Sequence, residues 1–163
     1  MALMAYLMLK GQRQGAIKGG ITTKGREGAI GVIAVSHSIV SPRDPQSGLP
    51  TGKRMHKPWI FKKEIDQASP MILNALVNNE NLTEVTFNFW QLDKAGVEKN
   101  YYRVEMVNGN LASYDVRQGD IRDPDLAKLA VWEEIGLTYQ KITWTILSPT
   151  TISASDDWEA PQV

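Results

Sequence analysis

A mainly β domain, a barrel or sandwich with one helix closing an end or flank, is predicted by three features of this chain. Apolar and polar residues alternate with period 2 through most of it, one segment shows helical spacing instead, and Gly- or Asp-bearing turns separate the alternating runs. The 163 residues make one domain by length. A globule of that mass buries roughly 69% of the surface of its unfolded chain and leaves ~8,100 Å² exposed.

In chain order, strands are expected over residues 2–9 and 29–40, the second with Ile33, Val35, His37 and Ile39 on one face and Ala34, Ser36 and Ser38 on the other. Gly25, Gly28 and Gly31 precede that strand rather than open a helix, so they read as a turn and bulge, not a phosphate cradle. A third strand is expected over residues 57–63. Ser69-Pro70 then opens the helix: Ser69 is the expected cap, Pro70 takes the first helical position, Met71, Ile72, Leu73, Ala75, Leu76 and Val77 recur at helical spacing, and Asn78-Asn79 ends it.

Residues 82–92 carry the clearest alternation, with Val85, Phe87 and Phe89 opposite Glu84, Thr86 and Asn88. Asp93-Lys94-Ala95-Gly96 turns the chain into residues 97–107, which completes a hairpin. Strands over 111–117 and 137–147 follow, the last with Ile142, Trp144 and Ile146 on one face. Two long connections, 41–56 and 118–129, are rich in Pro, Gly, Asp or Ser, and such loops are usually functional or docked on a partner. The segment from residue 148 carries Asp156, Asp157 and Glu159 without a basic residue and reads as an irregular acidic tail.

Composition excludes several functions. Lys+Arg and Asp+Glu number 18 each, so no global field draws nucleic acid or anionic lipid. The absence of cysteine removes thiol chemistry and thiolate metal sites. The apolar stretch of residues 1–9 lacks a basic flank and is followed by Lys10-Gly11-Gln12-Arg13, so it is not a secretory signal, and no run is long enough to span a bilayer as a helix. The Asn81-Leu82-Thr83 sequon therefore meets no modifying enzyme.

Candidate chemistry is sparse. His37 and His56 stand in different elements, and His37 reads as a hydrogen-bonded core histidine; two histidines without cysteine make no closed zinc site. Asp120, Asp123 and Asp125 fail the calcium-loop pattern, whose sixth and twelfth positions are here Asp125 and Val131. Lys53, Arg54, Lys57, Lys62 and Lys63, interleaved with Trp59 and Phe61, could form a single-strand platform, but Glu64 and Asp66 follow at once. No catalytic, cofactor or metal residue is assigned.

The blocks from His56-Lys57-Pro58-Trp59-Ile60-Phe61-Lys62-Lys63-Glu64-Ile65-Asp66-Gln67-Ala68-Ser69-Pro70 into Leu73, Ala75 and Leu76 resemble the signature of the haemolysin-coregulated protein (Hcp) family, the tube protein of bacterial type VI secretion. Ala5-Tyr6-Leu7, Gly25-Arg26-Glu27-Gly28, Ser36-His37, Ser41-Pro42-Arg43-Asp44-Pro45, Thr51-Gly52-Lys53-Arg54, Tyr139-Gln140-Lys141-Ile142-Thr143-Trp144 and Asp156-Asp157-Trp158 agree in order.

That resemblance implies a β-barrel of two antiparallel sheets with one flanking α-helix, spanning residues 1–147 ahead of an acidic C-terminal tail, 148–163. It further implies a homohexameric ring with a wide channel, stacked into the inner tube that a contractile sheath drives out beneath a valine-glycine repeat spike protein, with small effectors as cargo. Such a subunit is made in the bacterial cytoplasm, leaves through the type VI apparatus without a signal peptide, and serves bacterial competition or virulence. No cofactor, nucleic acid or membrane insertion is expected. Ala34, Ser36 and Ser38 are the expected channel lining. Arg43, Asp44, Lys53, Arg54, Trp59, Asp156, Asp157 and Trp158 are the expected ring-stacking or subunit contacts, where opposite charges set register. The alternative is a small β-barrel that binds a ligand or nucleic acid.

Overall fold

Alternation in the sequence becomes thirteen strands and one helix in the computed structural model, which describes residues 2–158. The strands are β1 (Ala5–Gly11), β2 (Gly15–Ile17), β3 (Ile30–Val32), β4 (Ala34–Ser36), β5 (Ile39–Val40), β6 (Met55–His56), β7 (Trp59–Glu64), β8 (Leu82–Leu92), β9 (Glu98–Val107), β10 (Asn110–Arg117), β11 (Trp132–Thr138), β12 (Lys141–Ile146) and β13 (Ile152–Asp157); α1 is Ser69–Val77. Seven strands form one sheet in the order β13-β12-β9-β8-β1-β2, with β3 also on β1. Four form a second, β10-β11-β7-β4, and β5-β6 make a two-stranded ribbon. Every pairing is antiparallel.

The inward parity of each strand supplies the core. Leu7, Val85, Phe87, Val104 and Ile142 from the larger sheet meet Phe61, Ile135 and Leu137 from the smaller, all at most 1% exposed. Trp59 and Phe61 pack their rings 5.0 and 5.4 Å from that of Phe87. The β8–β9 turn matches its sequence reading: the Asp93 carboxylate accepts from the amides of Ala95 (2.8 Å) and Val97 (2.9 Å), and Gly96 takes φ +80°.

The helix begins differently from the expectation. Ala68 is its N-cap and Ser69 makes no capping bond to the turn ahead of it. Asp66 instead accepts from the Ala68 amide (3.0 Å), while the Ser69 hydroxyl reaches back to accept from the Asp66 amide (3.1 Å), which turns the chain with two side chains in place of one. The same Ser69 hydroxyl is drawn into a buried ionic cluster. Lys63, fully buried, forms an ion pair with Glu133 Oε2 (2.5 Å) and donates from Nζ to Asp66 Oδ1 (2.8 Å), Ser69 Oγ (3.0 Å) and the Glu64 carbonyl (3.0 Å), and Tyr114 donates to the other oxygen of the fully buried Glu133. Burial and the Glu133 contact push the Tyr114 hydroxyl well above the usual phenol range.

Three strand expectations are corrected. The run 29–40 is not one strand: the chain leaves the larger sheet after Val32 and joins the smaller at Ala34, so parity slips at Ile33. Ile33 and Ile39, expected inside, are 46% and 42% exposed. The run 137–147 is two strands, β11 and β12, joined at Tyr139-Gln140, and β11 begins earlier, at Trp132. The segment expected as an irregular tail contributes β13, paired along β12 from Ile152 to Asp157; residues 159–163 of that tail lie outside the described residues.

Candidate functional site

The smaller sheet presents a continuous outer face built by register. Ala34 pairs with Lys62, Lys62 with Glu134, and Glu134 with Asp115, giving one cross-sheet row; Ser36, Ile60, Gly136 and Ser113 give the next. Cross-strand partners share a face, so these rows point away from Phe61 and Ile135. Small residues dominate the second row, and a Cβ added to Gly136 would lie 2.4 Å from Ser113 Oγ. The Lys62 ammonium stacks 4.6 Å from the Trp132 ring in the outer face. Ala34, Ser36 and Ser38 are all exposed. A shallow hollow of about 220 Å³ runs between Ala34, Ser36, Ile60, Lys62 and Glu134.

The loop between β5 and β6 orders itself. Arg43 bridges Pro50, and the Asp44 carboxylate accepts from the Gln46 amide (2.8 Å) and Ser47 hydroxyl (3.0 Å), bonds that hold it below the usual carboxylate range. Arg43 and Lys53 are exposed, and Leu49 near the tip is 65% exposed. At the loop's base the side chains turn inward. Arg54 makes a two-pronged bond to Asp156 (2.6 and 2.8 Å) and a third to the Asp157 carbonyl (3.0 Å). The Arg54 guanidinium, with His56 beside it, holds Asp156 below the usual carboxylate range.

His56 continues this contact into the interior. Its Nε2 lies 2.6 Å from Asp156 Oδ2, and its Nδ1 lies 2.8 Å from the Tyr139 hydroxyl, which is also 2.8 Å from His37 Nε2. The His37 ring packs 5.0 Å from Trp59, and Trp158 closes the other side, its ring 5.6 Å from His56 and its indole N–H donating to the Tyr139 carbonyl. Burial lowers the pKa of His37, and the charge of His56 lowers it further. Burial raises that of the Tyr139 hydroxyl.

Several predicted site residues therefore stand elsewhere than expected. Trp59 is 4% exposed and belongs to the core, so it cannot meet a neighbouring subunit. Arg54 and Asp156, expected across a contact, pair within the chain, and Asp157 and Trp158 close over the same joint. His37 is the hydrogen-bonded histidine the sequence suggests, but it is joined to His56 rather than separated from it. The basic-aromatic platform dissolves: Trp59, Phe61 and Lys63 all point inward, and Lys62 meets the Trp132 ring of β11 rather than a ring of its own strand. Among the described residues no three His, Cys, Asp or Glu side chains converge as a metal site.

Comparison with known proteins covers nearly the whole chain. The family described as "Type VI secretion system effector, Hcp" matches residues 6–146. The "Major exported protein" of Pseudomonas aeruginosa is 36% identical over 170 residues, spanning 99% of this chain and 98% of that protein. Among solved structures, a tryptophan double mutant of Hcp1 from enteroaggregative E. coli superposes with a TM-score of 0.83 at 32% identity, covering 96% of this chain and 99% of the other. The secreted protein Hcp3 of P. aeruginosa gives 0.79 at 27% identity over 98% and 100%.

Proposed function

The chain belongs to the Hcp family of type VI secretion effectors, and from that premise we propose that it is the structural subunit of a secreted tube: six copies close into a ring, rings stack, and small effectors ride in the channel. The family match over residues 6–146 carries this reading. The subunit's own surface supports it. The chain exposes 9981 Å², some ~1,900 Å² beyond the ~8,100 Å² of a compact globule of its mass. Ile33, Ile39, Leu49, Met55 and Ile65, each over 40% exposed, lie in or beside β4 to β7 and their loop. Among the described residues β4 and β10 leave both edges of the smaller sheet unpaired, and monomeric β proteins usually protect such edges.

A ring of identical subunits sets one face of each copy against a different face of the next. The outer face of the smaller sheet, with Ala34, Ser36 and Ser113 among charges of both signs, suits a wet channel wall better than a core. The exposed tip of the 41–54 loop, with Arg43, Asp44, Leu49 and Lys53, suits contact between stacked rings. The spike protein and contractile sheath are the further partners of this reading, which also has the protein made in the bacterial cytoplasm and exported by the type VI apparatus.

Native mass together with negative-stain electron microscopy tests it. Six copies of 18.2 kDa give about 109 kDa and a six-fold ring with an open centre; a monomer near 18.2 kDa at high concentration overturns the proposal.

A further inference from the structure

We infer that His37, Tyr139, His56, Asp156 and Arg54 form an acid-sensitive latch that ties the base of the 41–54 loop and β13 to the β11–β12 turn at neutral pH and releases them in acid. With both imidazoles neutral, the geometry allows one arrangement of protons. Asp156, gripped by Arg54, is an acceptor only, so His56 Nε2–H donates to it. Neutral His56 then has a bare Nδ1, which accepts from the Tyr139 hydroxyl, and the Tyr139 oxygen is left to accept from His37 Nε2–H. Each of the three links, His56 to Asp156, Tyr139 to His56 and His37 to Tyr139, then has one donor and one acceptor.

One added proton is tolerated. With both His56 nitrogens protonated, Nδ1–H donates to the Tyr139 oxygen, and the hydroxyl swings to donate to His37, whose own proton moves to its other nitrogen. A second proton is not tolerated, because two imidazolium charges would then flank one buried hydroxyl whose own proton has no acceptor left in the chain. Among the described residues no carboxylate reaches His37 to offset that charge. It faces Tyr139 from the β11–β12 turn, the Trp59 ring from β7 and His56 from β6. Asp156 and Asp157 of β13 face Arg54 and His56 instead, and only a bond from the His37 ring to the Lys57 backbone favours the charged form of His37.

The sign follows. His37 is held below its ordinary value of 6.5, so the opened segment binds more protons than the closed one, and closure weakens as pH falls through 6.5 toward the lower folded value. If His37 stays neutral while latched, opening at pH 5.0 is favoured by up to ~30-fold, ten to the power of the 1.5-unit gap. Because the loop's role in stacking rests on the proposal above, acid would also loosen stacked rings while leaving each ring closed.

Amide hydrogen exchange on the full chain, normalised for the intrinsic pH dependence, reads the latch directly. Between pH 7.5 and 5.0 protection at residues 54–57 and 152–157 should fall by roughly 10- to 30-fold while β8 and β9 stay protected. His37→Gln keeps a hydrogen bond to Tyr139 but cannot titrate, and should abolish that response. Equal protection at both pH values in the natural protein, or an unchanged response in H37Q, overturns the latch. Should H37Q fail to fold, imidazole nitrogen NMR of the natural protein decides: His37 should remain neutral well below pH 6.5, and two histidines titrating together at 6.5 refute the inference. Micrographs at both pH values are scored apart. Release without unstacking upholds the latch and overturns the stacking role of the loop.

Discussion

Replacing Lys63 by Met removes the cation of the buried cluster while nearly preserving its volume. At 2.5 Å from Glu133 Oε2, the Lys63 charge contributes a gross attraction of about 7 kcal/mol at an effective dielectric constant near 20. Desolvation of two ions that are both fully buried takes back several kcal/mol each, so the intact pair is worth little against apolar residues of the same shape. Breaking it is another matter. Lys63→Met leaves Glu133, among the described residues, with only the Ser69 and Tyr114 hydroxyls as donors, and the cost should be about 3–5 kcal/mol. The double variant with Glu133→Gln keeps an acceptor for Tyr114 and strands no fully buried charge, the partly exposed Asp66 keeping its bond from the Ala68 amide, so it should recover to within ~1–2 kcal/mol of the natural protein. Urea unfolding at matched protein concentration measures both, because any assembly makes the midpoint concentration-dependent. With m near 2 kcal/mol/M, the single variant should unfold at ~2 M less urea. A loss below ~1 kcal/mol, or a double variant as unstable as the sum of its parts, refutes the argument that the cost lies in the unpaired charge.

Ser36→Trp should alter cargo retention in pull-down while rings still form; loss of the ring would put Ser36 in an interface rather than on the channel wall. Deleting residues 45–49 at the loop tip should leave single rings in micrographs and reduce stacks, and a monomeric product would count against the stacking assignment. Gly19→Ala should cost about 1–3 kcal/mol in urea. The added Cβ would sit 2.5 Å from the Ala29 carbonyl oxygen and 2.7 Å from Ile30 Cα, both backbone atoms that cannot swing aside. A melting point unchanged in G19A would show that this close approach relaxes without strain.

What was legible in the sequence had a local cause. Residues 82–92 are recovered to the residue as β8 because alternation and the Asp93-to-Gly96 turn both act within a few positions. The missed boundaries share a signal that parity could have supplied. Inward residues run Ile135, Leu137, Tyr139 and then Ile142, and earlier Ile30, Val32 and then Val35; each odd-numbered step marks a place where the chain turns or changes sheet. β13 escaped because Ile152 to Asp157 is mostly exposed and is itself the edge strand, held to β12 through its backbone, which leaves no apolar pattern to read. The latch residues were individually visible, but His56 meets Tyr139 across 83 positions and Asp156 across 100. No local spacing rule joins groups so far apart, and only the folded sheets bring them to one hydroxyl.

The change of sheet at Ile33 has a mechanical meaning. One unbroken stretch of backbone from Ile30 to Ser36 belongs first to the layer of β1 and then to that of β7, with the Ile33 amide already bonded to the Lys62 carbonyl at 2.8 Å. Layers joined only by side-chain packing can creep past one another under shear, since dispersion contacts re-form wherever they land. Here sliding must stretch covalent bonds, so thrust applied to one layer is shared by the other before the core deforms. A wall made of such subunits would behave as a laminate stitched through its thickness rather than as two loose plies.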